Sequence, residues 1–275
     1  MKRIATATIG VALLLLSCCA APVLPADTDS PPTPTAATTI PTRVRATLEP
    51  GMTWEYIALG DSVARGIGRE PYVTHYAEYL EADLGVTVNV QNWAVGGLRG
   101  EELLRQVQTV TSLQDAIGEA EVITIWIGSL DADRLLSGAC GTLHDMDLDC
   151  LHEGAMAFEA HIDALFTEIL SLRGTNSTLI RVADLHNPSV DEWKEAGVFE
   201  KLKGPGFEDW SHAIIRAAAR HNIPVVPTYA ALNGPTGDEE IPKQYLLGDG
   251  VHLSTEGNIL IADLHRDMGY DPIAP

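Results

Sequence analysis

The sequence predicts an α/β fold, a three-layer α/β/α sandwich around a five-stranded, mostly parallel sheet. Three observations carry that prediction. From Trp54 onward, short apolar runs alternate with longer amphipathic segments. The short runs are almost continuously apolar, the pattern of strands buried on both faces. A helix-length crossover separates successive runs, as parallel strands require. Five strands joined in this way make a flavodoxin-like, doubly wound sheet. Such sheets place their sites outside the carboxyl ends of the strands.

The elements follow in order. Tyr56-Ile57-Ala58-Leu59 reads as the first buried strand. Residues 72–84 carry Val73, Tyr76, Ala77, Leu80 and Leu84 at helical spacing and stop at Gly85. The β-branched run 86–90 predicts a second strand, and 101–110 a helix. Residues 122–127, Val-Ile-Thr-Ile-Trp-Ile, form the strongest strand signal in the chain. A long helix is expected over 151–172, ending near Gly174, followed by a strand at 178–183. Residues 210–221 predict a helix with Ile214, Ile215 and Ala218 on one face. Ile223 to Val226 reads as a short strand interrupted by Pro224, and 254–268 as a last helix ending at Gly269.

What precedes this domain is different in kind. Residues 1–21 have the three parts of a secretory signal: Lys2 and Arg3, then an apolar run from Ile4 to Leu16, then small residues. Leu15-Leu16-Ser17-Cys18 resembles a bacterial lipobox, so lipidation is expected at Cys18, with an ordinary cleaved signal or an uncleaved anchor as alternatives. Residues 22–50 are rich in Pro, Thr and Ala and lack a core-forming pattern, which predicts an extended linker. The globular domain is then 51–275. The expected location is extracytoplasmic, membrane-anchored or secreted, in a bacterium.

Lys and Arg total 18 against 38 Asp and Glu, a formal charge of -20. Such a surface repels phosphate backbones, so no nucleic-acid partner is expected. It also disfavours docking of the folded domain on anionic lipid, which leaves the lipidated N-terminus as the membrane contact. Cys18 and Cys19 belong to the export signal. Cys140 and Cys150 are close in sequence, and in an oxidising compartment they predict a disulfide, with two free buried thiols as the alternative. Asp145, Asp147 and Asp149 alternate like calcium ligands, but Cys150 and Met156 stand where an EF-hand needs Gly and Glu. No metal is expected. The remaining histidines read as surface or satisfied core residues, and Trp126 and Trp193 as packing residues.

The chemistry starts at Gly60-Asp61-Ser62. Ser62 follows the carboxyl end of the first strand, and a helix start there would offer free backbone N–H groups to an oxygen that becomes anionic. Turn formation alone would also explain these residues. Near the other end, Asp249 and His252 lie three positions apart in a turn before the last helix. An aspartate so placed can accept a hydrogen bond from one imidazole nitrogen and leave the other as a base. Serine, base and orienter together are the parts of acyl-transfer catalysis.

Taken together and in this order, these stretches resemble the SGNH (GDSL) hydrolase family. "ALGDSVARGIG" is similar to its first block, "VQNWAVGGLRGEEL" to its second and "GDGVHLSTEGN" to its last. The resemblance spans about residues 54–270. It implies Ser62 as nucleophile, His252 as base and Asp249 as orienter, with no cofactor. It also implies an oxyanion site made by the backbone N–H of Ser62 and that of Gly97, with Gly96 as the alternative. In the third block, "VITIWIGSLDA", Gly128 and Asp131 fit, but Leu130 stands where the family's side-chain oxyanion donor Asn belongs.

Leu130 cannot donate a hydrogen bond, and losing one such donor typically costs on the order of a hundred- to a thousandfold in turnover. The chain is then a slow enzyme, an enzyme helped by another group such as Ser129 or a nearby amide, or a site that binds without turnover. Two functions follow: a serine ester hydrolase of small-molecule, lipid or glycan esters, or a surface lipoprotein that binds glycan or lipid on the same fold. The Gly-x-Ser-x-Gly elbow of α/β-hydrolases is absent, because Val63-Ala64 follows Ser62. Nucleotide motifs are absent too, since Gly66 to Gly68 lack the rest of GxGxxG. The sequence leaves oligomeric state open.

Overall fold

The computed structural model describes residues 51–272. The expected signal, the lipidation site Cys18 and the 22–50 linker lie outside the described residues. In chain order the elements are β1 (Thr53–Gly60), α1 (Ser62–Arg65), α2 (Tyr72–Leu84), β2 (Thr87–Asn92), α3 (Gly100–Thr109) and α4 (Thr111–Glu119). Then come β3 (Val122–Trp126), α5 (Ser129–Arg134), a π-helical turn Leu135–Ala139, α6 (Leu148–Arg173) and β4 (Leu179–Ala183). The chain continues through α7 (Val190–Glu195), α8 (Phe199–Lys203), a second π-helical turn Gly204–Glu208 and α9 (Asp209–Arg220). It ends with β5 (Val225–Val226), α10 (Thr228–Asn233), a short 3-10 turn Lys243–Tyr245 and α11 (Thr255–Asp267).

The strands lie in the order β2-β1-β3-β4-β5, and all four pairings are parallel. This is the doubly wound order expected from the alternating pattern. Strand periodicity sorts the core into two layers. Ile57 and Leu59 of β1, Ile123 and Ile125 of β3, and Ile180 and Val182 of β4 face α3, α4, α6 and α9. Tyr56, Ala58, Val122, Trp126 and Leu179 face α2 and α11. Each large apolar side chain buried in this way contributes roughly 1.5–3 kcal/mol. The second layer also holds polar atoms: Thr124 Oγ1 lies 2.8 Å from Tyr56 Oη, so the middle strand carries a satisfied buried hydroxyl.

Three sequence expectations are corrected. Helix α4 was not foreseen, although Leu113, Ala116 and Ile117 are buried at helical spacing. It abuts α3 with only Val110 between them, and no Gly, Pro or capping side chain marks the break. Helices α7 and α8 were also missed; at six and five residues they are too short to show a period. On α9, Ile215 does not share the face of Ile214 and Ala218. It is 40% exposed while they are fully buried, because the buried stripe runs through Trp210, Ala213, Ile214, Ala217 and Ala218.

One backbone position places the site. Gly60 closes β1 with φ at 138°, where L side chains are strained. A Cβ there would collide with the carbonyl oxygen of Trp126 on β3. Because residue 60 has none, Asp61 N can donate to that same carbonyl at 3.0 Å and turn the chain over the sheet edge into α1. Gly60→Ala is therefore expected to destabilise the domain by roughly 3 kcal/mol or more, since backbone rather than a flexible side chain must move. Circular-dichroism melts of the two proteins check this; an unchanged midpoint would contradict it.

Candidate active site

Four loops meet at the carboxyl edge of the sheet. The first is the turn out of β1. Asp61 caps α1, with Oδ1 accepting from Val63 N at 3.0 Å, and Ser62 is the first helical residue. The second follows β2. Val95 N donates to Gly60 O at 3.0 Å, and the Asn92 side chain donates to Ala64 O at 2.8 Å while accepting from Ala94 N at 3.0 Å. These bonds hold the Gly96-Gly97 turn beside Ser62. Gly97 has φ at 81° and lines the cavity above Ser62, whereas Gly96 lies outside that lining and has no such backbone need.

The third loop follows β3 and opens α5 with Ser129 and Leu130. Asp131 Oδ2 accepts from Gly100 N at 2.9 Å, which ties α5 to the start of α3. The fourth is the turn before α11. Asp249 Oδ1 accepts from Val251 N and His252 N, both at 3.0 Å, and Oδ2 lies 2.7 Å from His252 Nδ1. His252 Nε2 in turn lies 2.9 Å from Ser62 Oγ. Behind this turn, Asn258 of α11 accepts from Tyr72 N at 2.8 Å and donates to the carbonyls of Leu253 and Ser254. One buried side chain thereby fixes the His252 loop to α2, 186 residues away in sequence.

Ser62, Gly97, Leu130 and His252 all border one cavity of about 540 Å³. Leu130 is half-buried and contributes apolar wall where the resemblance called for an amide donor. Leu136, Leu143, Trp193, Phe207 and Val251 extend the apolar wall, while Asp133, Ser137, Ser189 and Glu192 bring polar groups to the same cavity. Leu136 sits on the first π-helical turn, and Leu143 on the loop after it. A disulfide between Cys140 and Cys150 clamps that loop to the first turn of α6. The pairing expected from an oxidising compartment is present.

Electrostatics distinguish the carboxylates. Asp249 is held down to about 2, first by the Val251 N–H and then by His252, so it stays ionised beside the imidazole. Asp61, 2% exposed, is pushed up to about 7 by burial, with Asp131 adding to the effect and Val63 N–H, His252 and Ser129 opposing it. Burial likewise pushes Asp131 up to about 6, against the Gly100 N–H and the charges of Arg99 and His161.

Sequence reasoning missed three residues here. Asp61 was read only as turn chemistry. His186, read as surface or satisfied core, is buried and borders the cavity, with Nε2 3.4 Å from Val251 O and Nδ1 unpartnered. Burial lowers it to about 4, so it is a neutral imidazole donating through Nε2. Its place just past the end of β4 was the available signal. Trp193 does pack against Phe207, at 5.7 Å between rings, yet it also forms cavity wall. His265 departs further from expectation: fully buried between Tyr72 and Tyr76, it has no hydrogen-bond partner on either nitrogen.

The GDSL-like lipase/acylhydrolase family profile matches residues 58–259. The spore germination lipase LipC of Bacillus licheniformis is 26% identical over 230 residues, covering 80% of this chain and 98% of that protein. Among solved structures, the lipase Lip_vut3 from a goat rumen metagenome superposes with a TM-score of 0.65 at 24% identity, over 79% of this chain and 98% of that one. The W215I form of Axe2, an acetyl xylan esterase of Geobacillus stearothermophilus, gives 0.54 at 18% identity, over 82% and 99% of the two chains.

The raised carboxyl at position 61 has a consequence for stability. The folded state holds its proton up to about pH 7, whereas an unfolded aspartate releases it near pH 4. The unfolded state therefore gains on the folded one as pH rises between those values. Asp61→Asn keeps the cap and removes the charge. Its melting midpoint is expected to match wild type near pH 3.5 and to exceed it at pH 8 by several degrees, roughly 1–4 kcal/mol. A gap that does not widen with pH would count against the buried-charge account.

Proposed function

Because the chain belongs to the GDSL-like lipase/acylhydrolase family, we propose that this ester hydrolase works as an extracytoplasmic serine enzyme through Ser62, His252 and Asp249. The observation that carries this reading is the unbroken hydrogen-bond line of 2.9 Å and 2.7 Å from Ser62 Oγ through the imidazole to Asp249. Ser62 Oγ attacks the ester carbonyl carbon as His252 Nε2 takes its proton. Asp249 holds the proton on Nδ1 and stabilises the imidazolium. The tetrahedral oxyanion faces the N–H of Ser62, at the start of α1, and that of Gly97, in the loop after β2. His252 then protonates the leaving alkoxide, and the acyl-enzyme is hydrolysed by a water that gives its proton to the same nitrogen.

The cavity supports acyl groups longer than acetyl. Leu130, Leu136, Leu143, Trp193 and Phe207 give it an apolar wall, and each methylene buried there contributes about 0.8 kcal/mol. The export signal at 1–21 and Cys18 support the location, with the lipid on Cys18 as the membrane contact. The disulfide agrees with an oxidising compartment. The second reading, a catalytically poor lipoprotein that binds lipid or glycan here, is favoured by Leu130 alone.

Hydrolysis of p-nitrophenyl esters from acetate to decanoate separates the two readings. Ser62→Ala is expected to lower turnover by at least about a thousandfold, and kcat/KM of the wild type to rise with chain length beyond acetate. Equal release by both proteins would leave the binding reading. A double Cys140→Ser/Cys150→Ser variant loosens the loop that carries Leu143. It is expected to change the octanoate-to-acetate preference by about threefold or more, whereas equal losses on every ester would show the clamp to be structural only.

A further inference from the structure

We propose that Gly206, a residue outside the cavity, sets the length of acyl chain the enzyme takes, by seating the apolar wall from behind. The proposal rests on the serine-hydrolase reading above and adds to it the position that decides substrate size. Leu136, Trp193 and Phe207 line the cavity, and Gly206 does not. It is buried in the second π-helical turn, directly before Phe207. A Cβ at this position would stand 2.6 Å from Trp193 Cη2, 3.3 Å from Trp193 Cζ3 and 3.5 Å from Leu136 Cδ2. Two wall residues therefore rest on a position that lacks a side chain, and a third is its neighbour in sequence.

The glycine is there for room. Its φ lies outside the left-handed region, so alanine suits the backbone at 206 and only the space is at issue. The first π-helical turn is held in the same manner. Gly154 lies well inside α6, where glycine is a poor helix former, yet a Cβ there would collide with Leu135 Cδ1. Leu135 and Leu136 are consecutive, so α6 receives one and Gly206 the other. Leu136 thus has no freedom to swing away from position 206.

The backing of the wall is closed. Trp210 Nε1 donates to Pro205 O at 3.2 Å and fixes the second π-helical turn to α9. Trp193, Phe207 and Trp210 all belong to the core shared with α6 and α9. Interiors of this kind are packed as densely as organic crystals and do not absorb an added methyl. The free volume lies on the other side, in the cavity of about 540 Å³. A side chain at 206 moves the Trp193 indole and Leu136 into it, and the Trp193–Phe207 ring contact passes the shift along the wall. A decanoyl chain meets this wall along its length, an acetyl group through one methyl at most. Each methylene that loses its place there costs about fourfold in kcat/KM.

The test is kcat/KM on p-nitrophenyl acetate, butyrate, octanoate and decanoate, with a thermal melt and fluorophosphonate labelling of Ser62 for each variant. Gly206→Ala is expected to lower the decanoate-to-acetate ratio by about tenfold. Trp193→Leu removes the indole edge and is expected to raise that ratio by about threefold or more. The double variant gives the new methyl the room the indole vacated. It should fold even where Gly206→Ala alone does not, and its ratio should return to within about threefold of wild type. Equal losses on every ester in Gly206→Ala, an unchanged ratio in Trp193→Leu, or a double variant that fails to fold or to recover the ratio overturns the proposal while Ser62 labelling persists. A wild type without label, matched by Ser62→Ala in hydrolysis, overturns the serine-hydrolase reading instead.

Discussion

The active edge of this protein depends on the approach of Gly60 to the carbonyl of Trp126. Two parallel strands end side by side, and one side chain has been removed so that the backbone of β1 can turn across the end of β3. The bond from Asp61 N to Trp126 O fixes that turn, and the bond from Val95 N to Gly60 O hangs the next loop from the same residue. Ser62 and Gly97 are therefore set by main-chain geometry within one hydrogen-bonded frame. Two short side chains, Asn92 and Asp61, brace that frame through bonds to main-chain groups, which keeps the site in register for chemistry.

The imidazole comes from far away in sequence and is secured differently. Its loop is closed by the Leu246–Leu253 bridge and by Leu247 N donating to His252 O at 2.7 Å. Asn258 then joins the start of α11 to the start of α2. The serine frame is thus a property of the sheet, whereas the histidine position is a property of helix packing on one face. A domain that kept its sheet but loosened α11 would keep Ser62 in place and lose its base.

The carboxylates show the tension between stability and chemistry. Asp249 is half-exposed and solvated, and costs the fold little. Asp61 and Asp131 are drawn into the interior, where ionisation is penalised by burial. Asp131 offsets its burial by holding Gly100 N. Asp61 offsets part of its own through Val63 N and the Ser129 hydroxyl. Carboxyls whose ionisation burial penalises concentrate where function needs them. Leu130 fits the same economy, since the residue that removes a donor also extends an apolar wall suited to an acyl chain.

The amino-acid sequence alone determined the layer architecture, because continuous apolar runs, each followed by a helix-length amphipathic crossover, are the pattern of parallel strands buried on both faces. It also determined Ser62, Asp249 and His252 as candidates, because short-range spacing puts Asp249 and His252 in one turn and Ser62 at a strand end. Only tertiary structure decided what surrounds them. The buried carboxyl of Asp61, the inward-facing His186 and the double duty of Trp193 follow from loops that meet only in the fold, such as those of His186 and Val251, 65 residues apart, and of Ser62 and His252, 190 apart. Local patterns carry no record of such contacts. Periodicity likewise could not separate α3 from α4 or place Ile215, because a helix face acquires meaning only when its partner is present.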